Sequence, residues 1–320
     1  MELVEVDEDV RTEARTFNAA LEELLAGGPS VHTVDPVETR LARAEGRGTF
    51  PAPVMLPEGR DVLVPGPGGD ITVRTFVPPG EVRGVYLHLH GGGWVLGSAH
   101  QQDVALWRLA NEASVAVASV DYRLAPEHPF PAGPDDCEAA ALWLVDGGGA
   151  ASLGAPANFV IGGESAGGHL AALTMLRLRD RHGLTPFVAA NLVYGAFDLA
   201  MTPSQRNWGD RNLVLSTPIM AWFYDCFLPA RSAEQRRAPE VSPLHADLSG
   251  LCPALFSVGA LDPLLDDSLL MSARWRHAGN DATLRVYPEA VHGFNAFPIG
   301  VSALANQAMW SFVAEAVASS

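Results

Sequence analysis

The 320-residue chain carries 37 acidic against 21 basic side chains, a formal net charge of −16, with 48% apolar residues. That balance argues against nucleic-acid binding, which needs the opposite sign to meet phosphates, and favours solubility instead. The apolar content is ample for a core, and an α/β sheet of this length commonly forms one domain. No apolar run reaches membrane-spanning length.

In chain order, Met1-Glu2-Leu3-Val4-Glu5-Val6-Asp7 lacks the basic region and apolar stretch of a secretory signal. Residues 1 to about 50 then hold an amphipathic helix with Val10, Ala14, Phe17, Leu21 and Leu24 on one face, opposite Glu13, Glu22 and Glu23. Such a face must dock on something apolar. After the turn Gly66-Pro67-Gly68-Gly69, apolar runs predict strands at Ile71 to Val77, Val82 to Leu89, Val115 to Val120, Asn158 to Gly162, Phe187 to Val193, Ala254 to Gly259 and Thr283 to Tyr287. Helical patterns fall near Asp103 to Glu112, Asp135 to Val145, Ala166 to Arg181, Pro263 to His277 and Ala303 to Ala318, and Gly147-Gly148-Gly149 reads as a loop. The alternation predicts a mostly parallel sheet covered by helices on both faces, with an antiparallel hairpin at its start. Residues about 198 to 245 break the alternation and contain Ile219-Met220-Ala221-Trp222-Phe223-Tyr224. Cys137, Cys226 and Cys252 are sparse and odd in number, as free thiols of a reducing cytoplasm would be.

Chemistry concentrates at strand ends. Gly163-Glu164-Ser165-Ala166-Gly167 lies between an apolar strand and a helix, a setting in which a sharp turn lifts the serine hydroxyl out of the backbone. Upstream, His90-Gly91-Gly92-Gly93-Trp94 closes another strand with three glycines whose unshielded N–H groups can converge on an oxyanion. A serine needs a base and an orienting carboxylate. Asp262 and His292 follow later strands, so both stand at the sheet edge that carries Ser165, in the order Ser, Asp, His. His292 must be neutral to accept the serine proton, so activity should fall on acidification.

Rivals exist among these residues. Asp266 and Asp267 are close to Asp262 but fall inside a predicted helix. His88 and His90 share one strand face and could imitate a metal pair, yet no third ligand of suitable spacing accompanies them; His90 reads as a prop for the glycine loop. Neither a metal nor another cofactor is implied. Asp121-Tyr122-Arg123-Leu124-Ala125-Pro126-Glu127 enters a proline-rich loop and reads as scaffolding that locks neighbouring turns together.

Taken with Gly168, Asp262-Pro263-Leu264 and His292-Gly293-Phe294, these motifs make the chain resemble the hormone-sensitive-lipase-like carboxylesterases, the bacterial family IV branch of the α/β-hydrolases, across residues 88 to 294. The resemblance implies Ser165 as nucleophile, His292 as base, Asp262 as its partner, and the N–H groups of Gly92, Gly93 and Ala166 as the oxyanion hole. Glu164 departs mildly from relatives that carry Asp or Thr there, and reads as a structural hydrogen-bonder. The resemblance also divides the chain into an N-terminal cap segment (1–50), a core (51–197 and 246–320) and a cap insertion (198–245). Phe17, Trp94, Trp222 and Tyr224 would then wall the substrate pocket. Docking of the N-terminal helix on Trp222-Phe223-Tyr224 above Ser165 would favour acyl chains of about two to eight carbons. The expected partner is a small-molecule ester; the oligomeric state is left open. An amidase, peptidase or deacetylase could use the same three residues, and a non-catalytic binding member would be expected to lack one of them.

Overall fold

A computed structural model describes residues 2–146 and 148–319. Among the described residues the strands are β1 (Glu2–Leu3), β2 (Arg60–Gly66), β3 (Gly69–Phe76), β4 (Val85–Leu89), β5 (Ala116–Asp121), β6 (Phe159–Glu164), β7 (Phe187–Val193), β8 (Ala254–Leu261) and β9 (Ala282–Val291). They form one sheet in the order β1-β9-β8-β7-β6-β4-β5-β3-β2. Pairing is parallel from β1 through β5 and antiparallel where β3 meets β5 and β2.

The helices are α1 (Glu8–Ala26), α2 (Pro36–Ala44), α3 (Asp103–Ala113), α4 (Ala132–Val145), α5 (Gly148–Ser152), α6 (Ala166–His182), α7 (Pro203–Asn207), α8 (Thr217–Phe227), α9 (Ala233–Arg236), α10 (Leu265–His277) and α11 (Gly300–Ala318). Because side chains alternate across a strand, Leu87 and Leu89 of β4 join a core with α4, α6 and α10, whereas Tyr86 joins one with α3 and α11. Both faces are therefore buried, which is why the parallel strands read as unbroken apolar runs.

Register places the chemistry. Leu89 sits opposite Gly163, so the loops after β4 and β6 emerge side by side. Leu261 sits opposite Val291 beyond a bulge, so Asp262 and His292 are the next residues of adjacent strands.

Several sequence expectations are corrected. β2 went unread because it is an edge strand with only Val64 fully buried, and β1 is two residues long. β9 continues through Pro288 to Val291, since pairing resumes past the bulge. Gly148 and Gly149 open α5 rather than a loop, while Gly147 lies outside the described residues. Leu24 is 54% exposed and Asn18, at 5%, lies on the buried face of α1. That face packs on β9 and α11 and, through Leu21, on Leu213 of the 198–245 segment, where Arg211 also pairs with Glu22 at 3.0 Å; the short turn Val31–Thr33 packs on α8. No helix among the described residues is long and apolar enough to cross a membrane.

The antiparallel end of the sheet is tied to α3 by a buried ion pair. Arg74 donates to Asp103 at 2.6 Å, and the same carboxylate accepts the Leu56 N–H at 2.9 Å. Removing Asp103 leaves the Arg74 guanidinium with Asp61 at 3.2 Å and the Leu56 carbonyl at 2.9 Å, so the cost is that of losing charge-assisted hydrogen bonds, about 2–3 kcal/mol, rather than that of a fully stranded charge. Asp103→Ala should lower unfolding free energy by about that amount in denaturant titrations, and Arg74→Met combined with Asp103→Leu should recover most of it.

Candidate active site

Ser165 follows β6 and caps α6 at φ 57° and ψ −118°, a backbone state that costs a non-glycine residue about 1–3 kcal/mol. Its surroundings hold it there: its N–H donates to the Val193 carbonyl at 2.9 Å. The flanking glycines are required by contact distance. A Cβ at Gly163 would lie 2.2 Å from the Leu89 carbonyl oxygen, and one at Gly167 would lie 1.8 Å from it.

His292 joins the two sheet-edge residues expected from sequence. Its Nδ1–H donates to Asp262 Oδ2 at 2.9 Å, which assigns the tautomer, and the Ser165 hydroxyl lies 3.0 Å from Nε2. Asp262 is 1% exposed and His292 5%. The second Asp262 oxygen accepts the Leu264 N–H at 2.8 Å, which fixes the carboxylate. Tyr194, in the left-handed region at φ 35°, places its ring 4.7 Å from the imidazole and donates its hydroxyl to Asn295.

The rival acids are occupied elsewhere. Asp266 accepts the Ser204 N–H. Asp267 accepts from the Phe197 and Asp198 N–H groups, the Thr202 hydroxyl and the Gln205 amide. It is the hub of the 197–205 segment, a role that no motif announced.

In the glycine loop, Gly92, Gly93 and Trp94 all have positive φ. The Gly92 carbonyl accepts the N–H groups of Val95 and Leu96, which closes a tight turn. Among the described residues the N–H groups of Gly92, Gly93 and Ala166 donate to no other protein group. Gly93 presses on the Phe223 ring so closely that a Cβ would lie 2.2 Å from it. His90 donates from Nδ1 to the Gly91 carbonyl at 2.8 Å and stacks on Tyr122 with ring centroids 4.2 Å apart. Burial pushes its pKa down to about 4, so the prop is neutral.

The Asp121–Glu127 segment braces that loop. Tyr122 donates its hydroxyl to the His90 carbonyl, and the Ala125 N–H donates to the Trp94 carbonyl. Arg123 makes a two-pronged pair with Asp136 at 2.8 Å on both prongs. His88 spends its nitrogens on Ser119 and Glu164, and Gln102 also donates to Glu164. Burial alone would raise the Glu164 carboxyl, but His88 and Gln102 outweigh it and hold its pKa below the ordinary value.

The aromatic residues expected on the pocket wall divide. Trp94 is 3% exposed, stacked on Phe227 at 4.7 Å, and donates its indole N–H to His169 Nδ1; Tyr224 is equally buried and donates to Gln205. These two are packing residues. Trp222, beside Phe223, and Phe17, against Phe297 at 4.9 Å, stay half-buried. His169 was missed because nothing in sequence links it to Trp94 and to the Val241 carbonyl, which it bridges. Tyr194 could have been suspected from its place at the carboxyl end of a strand.

A family model described as alpha/beta hydrolase fold matches residues 86–296. The chain belongs to that family, in its hormone-sensitive-lipase-like branch. Carboxylesterase NlhH of Mycobacterium tuberculosis is 37% identical over 301 residues, 90% of this chain and 92% of that protein. Carboxylic ester hydrolase LipN of the same organism is 36% identical over 259 residues, 78% of this chain and 68% of that one. A solved hyperthermophilic esterase from the archaeon Pyrobaculum calidifontis matches with a TM-score of 0.81 at 31% identity, covering 99% of this chain and 100% of that one.

Burial pushes the Asp267 carboxyl up to about 7, against the four donors that favour its charge. A carboxyl with a higher pKa folded than unfolded contributes stability that is full below its ordinary value of 3.8 and lost as pH rises through about 7. Asp267→Asn cannot ionise, so its melting temperature should fall less than that of the wild type between about pH 5 and pH 8. Parallel thermal melts across that range check the difference in slope.

Proposed function

We propose that this protein is a carboxylesterase that cleaves short- to medium-chain esters through an acyl-enzyme. The observation that carries the reading is the hydrogen-bonded chain from half-buried Ser165 through buried His292 to buried Asp262, at 3.0 and 2.9 Å, beside three N–H groups that, among the described residues, donate to no other protein group. Ser165 Oγ attacks the ester carbonyl carbon while His292 Nε2 takes its proton, and Asp262 stabilises the imidazolium. The N–H groups of Gly92, Gly93 and Ala166 receive the oxyanion of the tetrahedral intermediate. Its collapse expels the alcohol, which leaves with the proton held by His292. A water then gives one proton to the same nitrogen as its oxygen attacks the acyl-serine carbonyl, and collapse of this second tetrahedral intermediate breaks the bond to Ser165 Oγ, which takes that proton back from His292 as the acid is released.

Residues 1–50 and 198–245 form the cap in this reading. Phe223 against Gly93, and the turn Val31–Thr33 against α8, are the contacts that bring it over the loop. A site confined by such a cap favours acyl chains of about two to eight carbons. Unpaired Cys137, Cys226 and Cys252 accord with a reducing cytoplasm.

Ser165→Ala should retain the fold and lose nearly all turnover of p-nitrophenyl butyrate; wild-type turnover in a folded variant would overturn the mechanism. Asp262→Asn should reduce kcat by about 10⁴ if it acts as the acid of serine proteases does, whereas Asp266→Asn should change it little. For substrate class, kcat/KM should be far higher for the butyrate ester than for the matching p-nitroanilide, and higher for butyrate than for palmitate. Equal rates on ester and anilide would move the assignment to an amidase.

A further inference from the structure

We propose that α1 is a positioning element for His292, acting chiefly through Asn18. The proposal rests on the reading of His292 as the general base. His292 begins the loop between β9 and α11, and α1 grips that loop on both flanks. Upstream, the Asn18 amide donates to the Glu289 carbonyl at 2.7 Å. The Glu289 carboxylate accepts from Arg15 at 3.3 Å and from Arg11 at 3.4 Å. Leu21 packs in a small apolar cluster with Val291, the residue before His292. Downstream, the Phe17 ring lies 4.9 Å from that of Phe297, and the Glu13 carboxylate accepts the Gly300 N–H at 2.7 Å.

Two features mark these contacts as more than packing. Glu289 has φ 56°, and a non-glycine residue persists in that region only when its surroundings over-determine it. Here α1 supplies three side chains to that single residue. Asn18 is also a polar residue, 5% exposed, on the face where an amphipathic helix ordinarily carries an apolar one. A buried amide is costly unless it is hydrogen-bonded; its nitrogen donates to Glu289 and, among the described residues, its oxygen has no partner, so packing alone does not account for an amide at this position.

The consequence for chemistry is geometric. His292 must meet Asp262 and Ser165 at the same time, at 2.9 and 3.0 Å, and a displacement of about 1 Å in a reacting group can cost about 100-fold in rate. The inner side of the loop is held by the Tyr194 hydroxyl on Asn295 and the Ser302 hydroxyl on the Phe294 carbonyl. The outer side is held from the opposite end of the chain, by α1. A helix that tunes the base should affect kcat, whereas a helix that walls the acyl pocket should affect KM and chain-length preference.

The test uses the full-length protein with p-nitrophenyl butyrate and octanoate. Asn18→Leu removes the amide at nearly constant volume, and Arg11→Gln with Arg15→Gln loosens the half-exposed anchor without touching the core. Expected are a loss of about tenfold or more in kcat for Asn18→Leu and a smaller loss for the double variant, scaled against the ~100-fold cost of a full displacement. KM should stay within about twofold and the butyrate-to-octanoate ratio should not move. Leu24→Ser, on the exposed side of the same helix, should match the wild type. Unchanged kcat in folded Asn18→Leu overturns the proposal, and so does a loss carried by KM or by an altered chain-length ratio. Should Asn18→Leu not fold, the double variant decides by the same criteria. Ser165→Ala and His292→Ala, run alongside, separate the two readings: turnover in either sinks the assignment of His292, while their inactivity with neutral α1 variants sinks only the role of α1.

Discussion

The close approach of two strand ends is the constraint on which the rest depends. Where β4 stops at Leu89, its carbonyl oxygen lies so near the turn after β6 that neither Gly163 nor Gly167 has room for a methyl group. The same proximity, set by the parallel register of Leu89 with Gly163, brings the glycine loop and Ser165 together. Once Ser165 is held in its strained turn, its hydroxyl needs only one partner. The equivalent register two strands away, Leu261 with Val291, delivers that partner already paired to its carboxylate.

Burial then sets the charge state of the groups behind the site. His90 and His169 are forced neutral, each with a pKa pushed down to about 4 by desolvation, so each acts as a directed dipole with a fixed tautomer. His169 accepts from Trp94 and donates to the Val241 carbonyl, joining the glycine loop, α6 and the 198–245 segment through one ring. Glu164 goes the other way: His88 and Gln102 supply donors and keep it charged. Its carboxylate is engaged by His88 and Gln102, beside the turn that carries Ser165.

The connections to the 1–50 and 198–245 segments follow the same logic of contact. Arg40 of α2 donates to the Val95 carbonyl at 3.0 Å and pairs with Glu127, while Phe223 of α8 covers Gly93. Both segments therefore touch the loop proposed to receive the oxyanion. A peripheral helix can influence such a site without meeting substrate, because the loop is a turn with few bonds of its own.

Much of this was legible in sequence, where the physics is local. The apolar runs gave seven of the strands, since a parallel strand buried on both faces must be continuously apolar. The glycines around Ser165 and in the loop before Trp94 marked backbone that could not carry side chains. The chain order of Ser165, Asp262 and His292 placed all three at one sheet edge. What stayed hidden was whatever two distant segments decide jointly. The edge strand β2 shows too little apolar pattern to be read alone. The partners of α1 could not be inferred from its own face, and they proved to be Glu289, α11 and the Leu213 stretch of the 198–245 segment. Trp94 and Tyr224 looked like pocket walls because aromatic residues near a serine suit that role equally well. Only tertiary packing showed them closed over by Phe227, His169 and Gln205. Sequence by itself determined the fold class and the placing of Ser165, Asp262 and His292 after strand ends, because backbone space and strand alternation enforce them. The orientation of the supporting side chains was decided by the tertiary structure, because each depends on a partner tens to hundreds of residues away.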